Sequence, residues 1–167
     1  MGESHLEQWH RFFQQESVLR FLPDRFDTVE DLRSVLRWLI SNYDRPLSII
    51  TRLTLGIHLR SSSSAPIGFV SYGPLPENES KRELAYAIHP AHTGNGYATE
   101  TCREFLWWIA KTFSSTPIYA SVDPSNQASL RVVEKLGFVR LPPDCGGKEL
   151  ESSGQLIFVS ELPVDSA

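Results

Sequence analysis

The fold of this chain is decided by the stretch Glu83-Leu-Ala-Tyr-Ala-Ile-His-Pro90, which continues through Ala-His into Thr93-Gly-Asn-Gly-Tyr-Ala98. The first part predicts a β-strand, and the second predicts a glycine turn that opens a helix. Gly94 and Gly96 let the backbone turn sharply and approach a ligand closely, while the first N–H groups of the helix have no intrahelical partner and lie at the positive end of its dipole. The stretch therefore predicts a site for an anion such as a pyrophosphate, although two glycines alone are equally typical of an ordinary turn.

The residues after this turn extend the unit into a β-loop-α-β-α arrangement. One face of the first helix is apolar, through Ala98, Cys102, Phe105, Leu106, Ile109 and Phe113. A strand is predicted over residues 117–123, and a second helix follows, in which Ser125 or Asn126 provides the N-cap and Gly137 the C-terminal stop. Ser129 lies on the apolar face of that helix, so its hydroxyl either bonds back to a main-chain carbonyl or faces a buried polar ligand.

Two motifs in these helices resemble a known family. The first helix opens with Gly94-x-Gly96-x-Ala98-x-Glu100, and the next carries Asn126-x-x-Ser129 followed by Glu134-Lys-x-Gly-Phe138. Together they resemble the GNAT superfamily of acyl-coenzyme A-dependent N-acetyltransferases, and within it the branch whose members acetylate the N-termini of ribosomal proteins. The resemblance is dense over residues 83–138 and looser over residues 27–75.

The resemblance implies a single α/β domain over residues 1–167, with a mixed, largely antiparallel central sheet flanked by helices. It also implies that acetyl-coenzyme A is the cosubstrate, and that an acetyl group passes directly to a primary amine, either a protein N-terminus or a small-molecule amine. The family's cofactor contacts map to Ile88, His89, Thr93, Gly94, Asn95, Gly96, Tyr97, Ala98, Asn126 and Ser129. Of these, the main chain near Ile88 and His89 is expected to pair with the pantetheine arm and to supply the oxyanion donor.

This chain departs from the family pattern at three points. Thr93 occupies a position that is usually Arg or Gln, which is expected to weaken the grip on the pyrophosphate without abolishing it. Val133 stands where many members carry a tyrosine that protonates the leaving thiolate, so Ser129 becomes the candidate for that role. The family's first strand precedes its first helix, whereas this sequence begins almost at that helix. The sheet therefore has one strand fewer, or its edge is completed by another chain, as in a homodimer, or left exposed.

Two residues of the strand before the glycine turn are candidates for the general base that removes a proton from the amine. Glu83 and His89 share strand parity with Ala85 and Ala87, so both side chains point to one face if the strand has no bulge. A charged residue at a strand start is more often solvated, and a His before a Pro more often ends a strand. A water molecule relayed to a carboxylate is equally compatible with the sequence.

The composition is typical of one cytoplasmic domain. Its 167 residues suffice for one sizeable core, and the net charge of −4 argues against nucleic acid as a partner. No apolar run reaches membrane-spanning length, so no membrane association is expected. The two cysteines, Cys102 and Cys145, indicate neither a disulfide framework nor a metal site, and both are expected to be reduced thiols.

The remaining elements follow from periodicity and turn residues. A helix is predicted over residues 6–22, and a second one from a cap at Asp27-Thr28 to about Tyr43, with Leu32, Val35, Leu36 and Leu39 on its apolar face. Extended structure is predicted over residues 47–59, 66–72 and 155–161. Residues 60–65 are expected to form a flexible turn, residues 77–82 a charged connector, and residues 142–154 a polar loop.

Two other functions remain compatible with the sequence. A dinucleotide-binding protein would place phosphates on the glycine turn and a ribose on Asp123, but the third position of that fingerprint is Thr99 and only one βαβ unit is present. A catalytically silent coenzyme A-binding or interaction module would use Trp107 and Trp108 as a contact surface, although burial explains both rings as readily.

Overall fold

The computed structural model of this chain describes residues 3–22, 24–46, 49–61, 65–76, 78–113, 117–142 and 154–160. The helices in this part of the chain are α1 (Leu6–Phe13), α2 (Glu16–Leu19), α3 (Val29–Tyr43), α4 (Tyr97–Thr112) and α5 (Gln127–Lys135). The strands are β1 (Leu53–Ile57), β2 (Gly68–Leu75), β3 (Asn78–Ile88), β4 (Ile118–Val122), β5 (Val139–Arg140) and β6 (Leu156–Ser160). Short 3-10 turns cover Glu3–His5 and Pro90–His92.

The strands form one mixed sheet in the order β1-β2-β3-β4-β6-β5. β3 and β4 run parallel, whereas β6 is antiparallel to both β4 and β5. Helix α4 connects the parallel pair, which cannot be joined by a tight turn. The expected largely antiparallel sheet with flanking helices is therefore confirmed. Among the described residues no strand precedes α1.

The chain divides into two compact units, and the boundaries fall at residues 71/72, 85/86 and 97/98. The first unit comprises residues 1–71 and 86–97, and the second comprises residues 72–85 and 98–167. Each unit has buried residues of its own. The expectation of a single domain over residues 1–167 stays a prediction.

The core of the first unit is built by α1 and α3 with the start of β2. Its buried members are aromatic or branched aliphatic, and they include Trp9, Phe12, Phe13, Leu32, Leu36, Leu39 and Phe69. α3 begins at a capping box, in which the Asp31 N–H donates to the Thr28 hydroxyl (3.1 Å) and the Thr28 N–H donates to the Asp31 carboxylate (2.9 Å). Hydrogen bonds from Thr28 lower the pKa of the Asp31 carboxyl group. The predicted start of this helix is confirmed, as is its end at Tyr43.

Two expectations for this unit are wrong. The helix predicted over residues 6–22 is broken, because Gln15 is extended between α1 and α2, with φ −68° and ψ 127°. The preceding Gln14 uses its side-chain amide to donate to the carbonyl of Phe26 (2.7 Å), which ties the break to the segment before α3. Val35, expected on the buried face of α3, is 39% exposed, because the buried stripe of that helix passes beside it.

The second unit contains α4, β4 and α5. The apolar stripe of α4 is confirmed in its middle, since its buried residues are Cys102, Phe105, Leu106 and Ile109. α5 ends in a Schellman motif: the Phe138 N–H donates to the Val133 carbonyl and the Gly137 N–H donates to the Glu134 carbonyl, both over 3.0 Å. Gly137 has a φ of +79°, which glycine adopts without steric cost. The predicted stop of this helix is therefore confirmed.

The strands differ from expectation at several points. The charged connector expected at residues 77–82 is instead the first half of β3, which begins at Asn78. Charged residues are tolerated there because residues 78–83 are exposed or half-buried. Of the described residues 49–59, where extended structure was expected over 47–59, Leu53–Ile57 form a strand, and the short β5 was not expected. Residues 143–153 of the loop expected at 142–154, and residues 62–64 of the turn expected at 60–65, lie outside the described residues.

Candidate active site

The glycine turn lies between the 3-10 turn Pro90–His92 and the first residue of α4. Gly94 and Gly96 have φ values of +80° and +83°, a region that other residues reach only at a steric cost. No protein atom lies within 4 Å of the position that a Cβ would take on either glycine. All four residues from Thr93 to Gly96 are exposed. The turn therefore leaves open space beside its main chain.

Side-chain hydrogen bonds fix the shape of this turn. The Thr93 hydroxyl donates to the Pro90 carbonyl (2.9 Å), and the Asn95 amide donates to the carbonyls of His92 and Thr93 (3.1 Å each). In contrast, none of the N–H groups of residues 94–96 donates to another described residue. Unpaired N–H groups directly before a helix N-terminus form the kind of site that binds phosphate. Tyr97 and Ala98 begin that helix, α4.

His89 is used by the protein main chain. Its ring Nδ1 accepts from the Ala91 N–H (3.2 Å), which caps the 3-10 turn, and its own N–H donates to the Ile67 carbonyl (2.7 Å). The oxyanion donor expected from the main chain near Ile88 and His89 stays a prediction, and because the His89 N–H is already paired it points to the Ile88 N–H. Successive N–H groups of a strand point to opposite edges, so the Ile88 N–H points away from Ile67. Ile88 keeps its predicted role as a partner for the pantetheine arm.

Glu83 lies where β3 and β4 stop pairing. The parallel register joins Arg82 to Ile118 and Glu83 to Tyr119. Beyond the last pair, the Ser121 N–H donates to the Glu83 carboxylate (3.2 Å), and the Ser121 hydroxyl donates to the same carboxylate oxygen. The other edge of β4 is paired with β6 along its whole length. The half-buried carboxylate of Glu83 is therefore held in place by β4.

Asn126 and Ser129 lie together at the start of α5. The Asn126 side chain accepts from the Ser129 N–H (3.1 Å), so Asn126 is the N-cap of this helix, as predicted. Ser129 is half-buried and hydrogen-bonded within the protein. Val133, one turn further, is fully buried and has no group that transfers a proton. α5 therefore carries the hydroxyl of Ser129 one turn before Val133, the position at which the family pattern has a tyrosine.

Other chemistries find little support among the described residues. Burial raises the pKa of the Cys102 thiol well above its usual value, which disfavours a reactive thiolate. In the part of the chain that the structure describes, no three His, Cys, Asp or Glu side chains are grouped as a metal site would require. The helices described there include none that is long and apolar enough to cross a bilayer. Cys145 lies outside these residues.

The structure thus brings the predicted residues together in three groups. His89 and residues 93–98 form the glycine turn and its support, Asn126 and Ser129 form the start of α5, and Glu83 lies on β3 beside β4. Sequence reasoning missed Ser121, the residue that holds Glu83. Parity along the strand 117–123 places Ser121 on the same face as Tyr119, but the parallel register with β3 is needed to connect it to Glu83.

Comparisons with known proteins agree with this geometry. A family model described as the acetyltransferase (GNAT) domain matches residues 1–139. The probable N-acetyltransferase YjcK of Bacillus subtilis (strain 168) is 31% identical over 128 residues, which cover 76% of this chain and 67% of that protein. The uncharacterised protein YkkB of the same organism is 39% identical over 61 residues, but this match covers only 36% of each chain.

Solved structures share the fold at low sequence identity. The ribosomal-protein-S5-alanine acetyltransferase from Vibrio fischeri has a TM-score of 0.74 and 18% identity, with 96% of this chain and 90% of that chain covered. RimJ from Mycobacterium smegmatis, in complex with CoA-disulfide, has a TM-score of 0.73 and 19% identity, with 96% of this chain and 79% of that chain covered.

Proposed function

The chain belongs to the GNAT acetyltransferase family, and from that premise we propose that it transfers the acetyl group of acetyl-coenzyme A directly to a primary amine. The observation that carries this proposal is the glycine turn, whose unpaired N–H groups stand before the N-terminus of α4. A pyrophosphate carries negative charge and provides hydrogen-bond acceptors for these N–H groups. The coenzyme A-bound structure of a protein with the same fold supports the same ligand.

The residues present fit this cosubstrate. The N–H groups of residues 94–98 would hold the pyrophosphate, and the Ile88 main chain would pair with the pantetheine arm. Thr93 lacks a charged or long polar side chain, and its hydroxyl is bonded to Pro90, so we assign the grip on the phosphates to the main chain. Asn126 then acts mainly by capping α5 and thereby positioning Ser129.

Glu83 is the better candidate for the general base. The attacking amine must lose a proton as its nitrogen bonds to the thioester carbon, and a carboxylate accepts that proton directly or through water. Glu83 is held by two donors from Ser121, so its carboxylate is oriented before the substrate binds. His89 is the weaker candidate, because its Nδ1 caps the Pro90–His92 turn.

Ser129 is the proposed proton donor to the departing thiolate. The thiolate of coenzyme A leaves with the electron pair of the broken C–S bond and needs a proton. The hydroxyl of Ser129 stands near the N-terminus of α5, where the helix dipole favours developing negative charge. Val133 is fully buried, and within α5 Ser129 is the remaining hydroxyl side chain.

The acceptor is proposed to be a protein N-terminus. This rests on the fold shared with enzymes named for the alanine or serine N-termini of ribosomal proteins, at identities that show only the fold. A small-molecule amine is the alternative, since an aminoglycoside acetyltransferase and a spermidine acetyltransferase share the fold as well.

The function is tested by measuring free coenzyme A released from acetyl-coenzyme A in the presence of amines. The panel contains peptides with N-terminal Ala or Ser, the same peptides blocked at the N-terminus, spermidine and an aminoglycoside. We expect release with at least one free amine and none with the blocked peptides. Coenzyme A binding without release would instead support a silent binding module, and thermal stabilisation by NADH rather than by acetyl-coenzyme A would support a dinucleotide-binding protein.

Two substitutions, one at Glu83 and one at Ser121, test the proposed general base. Glu83→Gln keeps the shape but removes the proton acceptor, so we expect kcat to fall by about 10²-fold or more. Ser121→Ala removes one of the donors that hold Glu83, so a loss of roughly tenfold in kcat is expected, with recovery in Ser121→Thr. Full activity in a folded Glu83→Gln variant would return the role to His89 or to water.

A further inference from the structure

A pocket of about 340 Å³ lies within the second unit, where the parallel strands β3 and β4 begin to pair. Tyr72, Lys81, Arg82, Phe113 and Tyr119 are among the residues that line it. Phe113 follows the last residue of α4, whereas the glycine turn precedes the first residue of that helix. The 16 residues of α4 span about 24 Å. The pocket therefore lies at the opposite end of α4 from the glycine turn, and its volume suits a small metabolite.

The pocket is positively charged. The Lys81 ammonium lies 4.4 Å from the centre of the Tyr119 ring and donates to its hydroxyl (3.1 Å), while Arg82 donates to the Glu79 carbonyl (3.3 Å). Among the described residues, neither cation forms an ion pair with a carboxylate. Both side chains are half-buried, although the whole chain has a net charge of −4. Two partly desolvated cations that form no ion pair with a described carboxylate favour the binding of an anion.

The pocket also has an aromatic wall with an unused donor. Tyr72 is only 6% exposed, and its ring stacks on Phe113 with centroids 5.5 Å apart and planes inclined by 30°. The hydroxyl of Tyr72, which lines the pocket, makes no hydrogen bond to another described residue. A phenol in such a setting can donate to a ligand, and the neighbouring rings can hold a flat group.

We propose that this pocket binds a small anion attached to a flat ring, a chemistry shared by aromatic carboxylates and nucleoside monophosphates. The anionic group contacts Lys81 and Arg82, and the ring lies against the aromatic side chains. Two of the lining residues take part in the pairing of β3 with β4, since Arg82 pairs with Ile118 and Tyr119 pairs with Glu83.

The experiment is a calorimetric titration of the full chain with benzoate, adenosine monophosphate, inorganic phosphate and neutral benzamide. Saturating coenzyme A is present throughout, so that nucleotide and phosphate cannot report on the glycine turn. We expect a single site with a Kd in the millimolar range or tighter for benzoate or adenosine monophosphate, and the stronger of the two identifies the source of the ligand. Phosphate and benzamide are expected to bind at least tenfold more weakly.

Matched variants separate this site from general surface charge. Lys81→Met and Arg82→Met are expected to weaken binding at least tenfold, and Tyr72→Phe several-fold. Lys111→Met is the control, because its ammonium also lies over a ring, 3.8 Å from the centre of Trp107, but does not line the pocket. Thermal melts confirm that each variant is folded.

Three results would overturn the proposal. These are the absence of binding by either ring-bearing anion, binding that survives both Lys81→Met and Arg82→Met, or binding that Lys111→Met weakens equally. Because the readout is direct binding, a protein that fails to acetylate amines can still pass this test. Failure here likewise leaves the proposed acetyl transfer intact.

Discussion

Gly96→Val separates a plain turn from a phosphate site. Gly96 has a φ of +83°, and no protein atom lies within 4 Å of the position that a Cβ would take. A Cβ there meets no residue outside the turn's immediate neighbours, so the main cost to stability is the backbone strain of the left-handed region, about 1–2 kcal/mol. For a protein of this size that strain lowers Tm by roughly 2–4 °C per kcal/mol. The valine also occupies the space beside the N–H groups that would hold the pyrophosphate.

The expected effect on binding comes from the blocked main chain, because the backbone strain is present in the free and in the bound protein alike. We expect acetyl-coenzyme A affinity to fall at least tenfold, or about 1.4 kcal/mol, measured by calorimetric titration. Gly137→Val is the matched control, because Gly137 has a φ of +79° with equally open space but ends α5 instead of starting α4. It should lose a similar amount of Tm with affinity unchanged.

Two outcomes would refute this reasoning. If a folded Gly96→Val variant bound acetyl-coenzyme A as tightly as the natural chain, the glycine turn would be only a turn. If Gly137→Val lost as much affinity as Gly96→Val, the loss would come from general destabilisation rather than from the site.

Three further substitutions test other parts of the argument. Thr93→Arg is expected to tighten acetyl-coenzyme A binding by a factor of a few, because a charge-assisted contact to the pyrophosphate outweighs the lost bond to Pro90. Weaker binding in a folded variant would mean that the glycine turn follows a different path from that of its relatives. Ser129→Ala is expected to lower kcat by about 10²-fold and to leave the affinity for acetyl-coenzyme A within a few-fold of its original value. Steady-state kinetics and a binding titration measure the two quantities separately. A loss of affinity alone would mean that Ser129 only binds the cosubstrate. Gly68→Ala would place a Cβ 2.2 Å from the Ala87 carbonyl oxygen, so we expect a loss of about 1–3 kcal/mol in the free energy of unfolding, and an unchanged denaturation midpoint would contradict the close strand approach.

Local signals in the sequence were sufficient where a few neighbouring residues decide the structure. The cap of α3 at Thr28 and the stop of α5 at Gly137 depend on contacts within four residues, and both were predictable. The glycine turn was predictable for the same reason. These are features whose hydrogen bonds are made between residues close in the chain.

Features that depend on distant residues were not predictable in the same way. The break between α1 and α2 involves a bond from Gln14 to Phe26, and the first half of β3 reads as a charged connector until its neighbouring strands are known. The contact between Ser121 and Glu83 joins residues 38 positions apart and requires the register of β3 and β4. The paired state of the His89 N–H likewise depends on Ile67, which belongs to another segment.

The bond from the Ser121 N–H to the Glu83 carboxylate makes a main-chain amide into a spectroscopic probe of the proposed base. An amide proton that donates to a carboxylate changes its magnetic environment when that carboxylate gains a proton, whereas one bonded to a carbonyl does not. In ¹⁵N-labelled protein, the amide resonance of Ser121 should therefore move with pH and stop moving in Glu83→Gln. The charge on Glu83 can thus be followed in solution without any acceptor amine, and the same resonance would show whether a ligand bound elsewhere disturbs it.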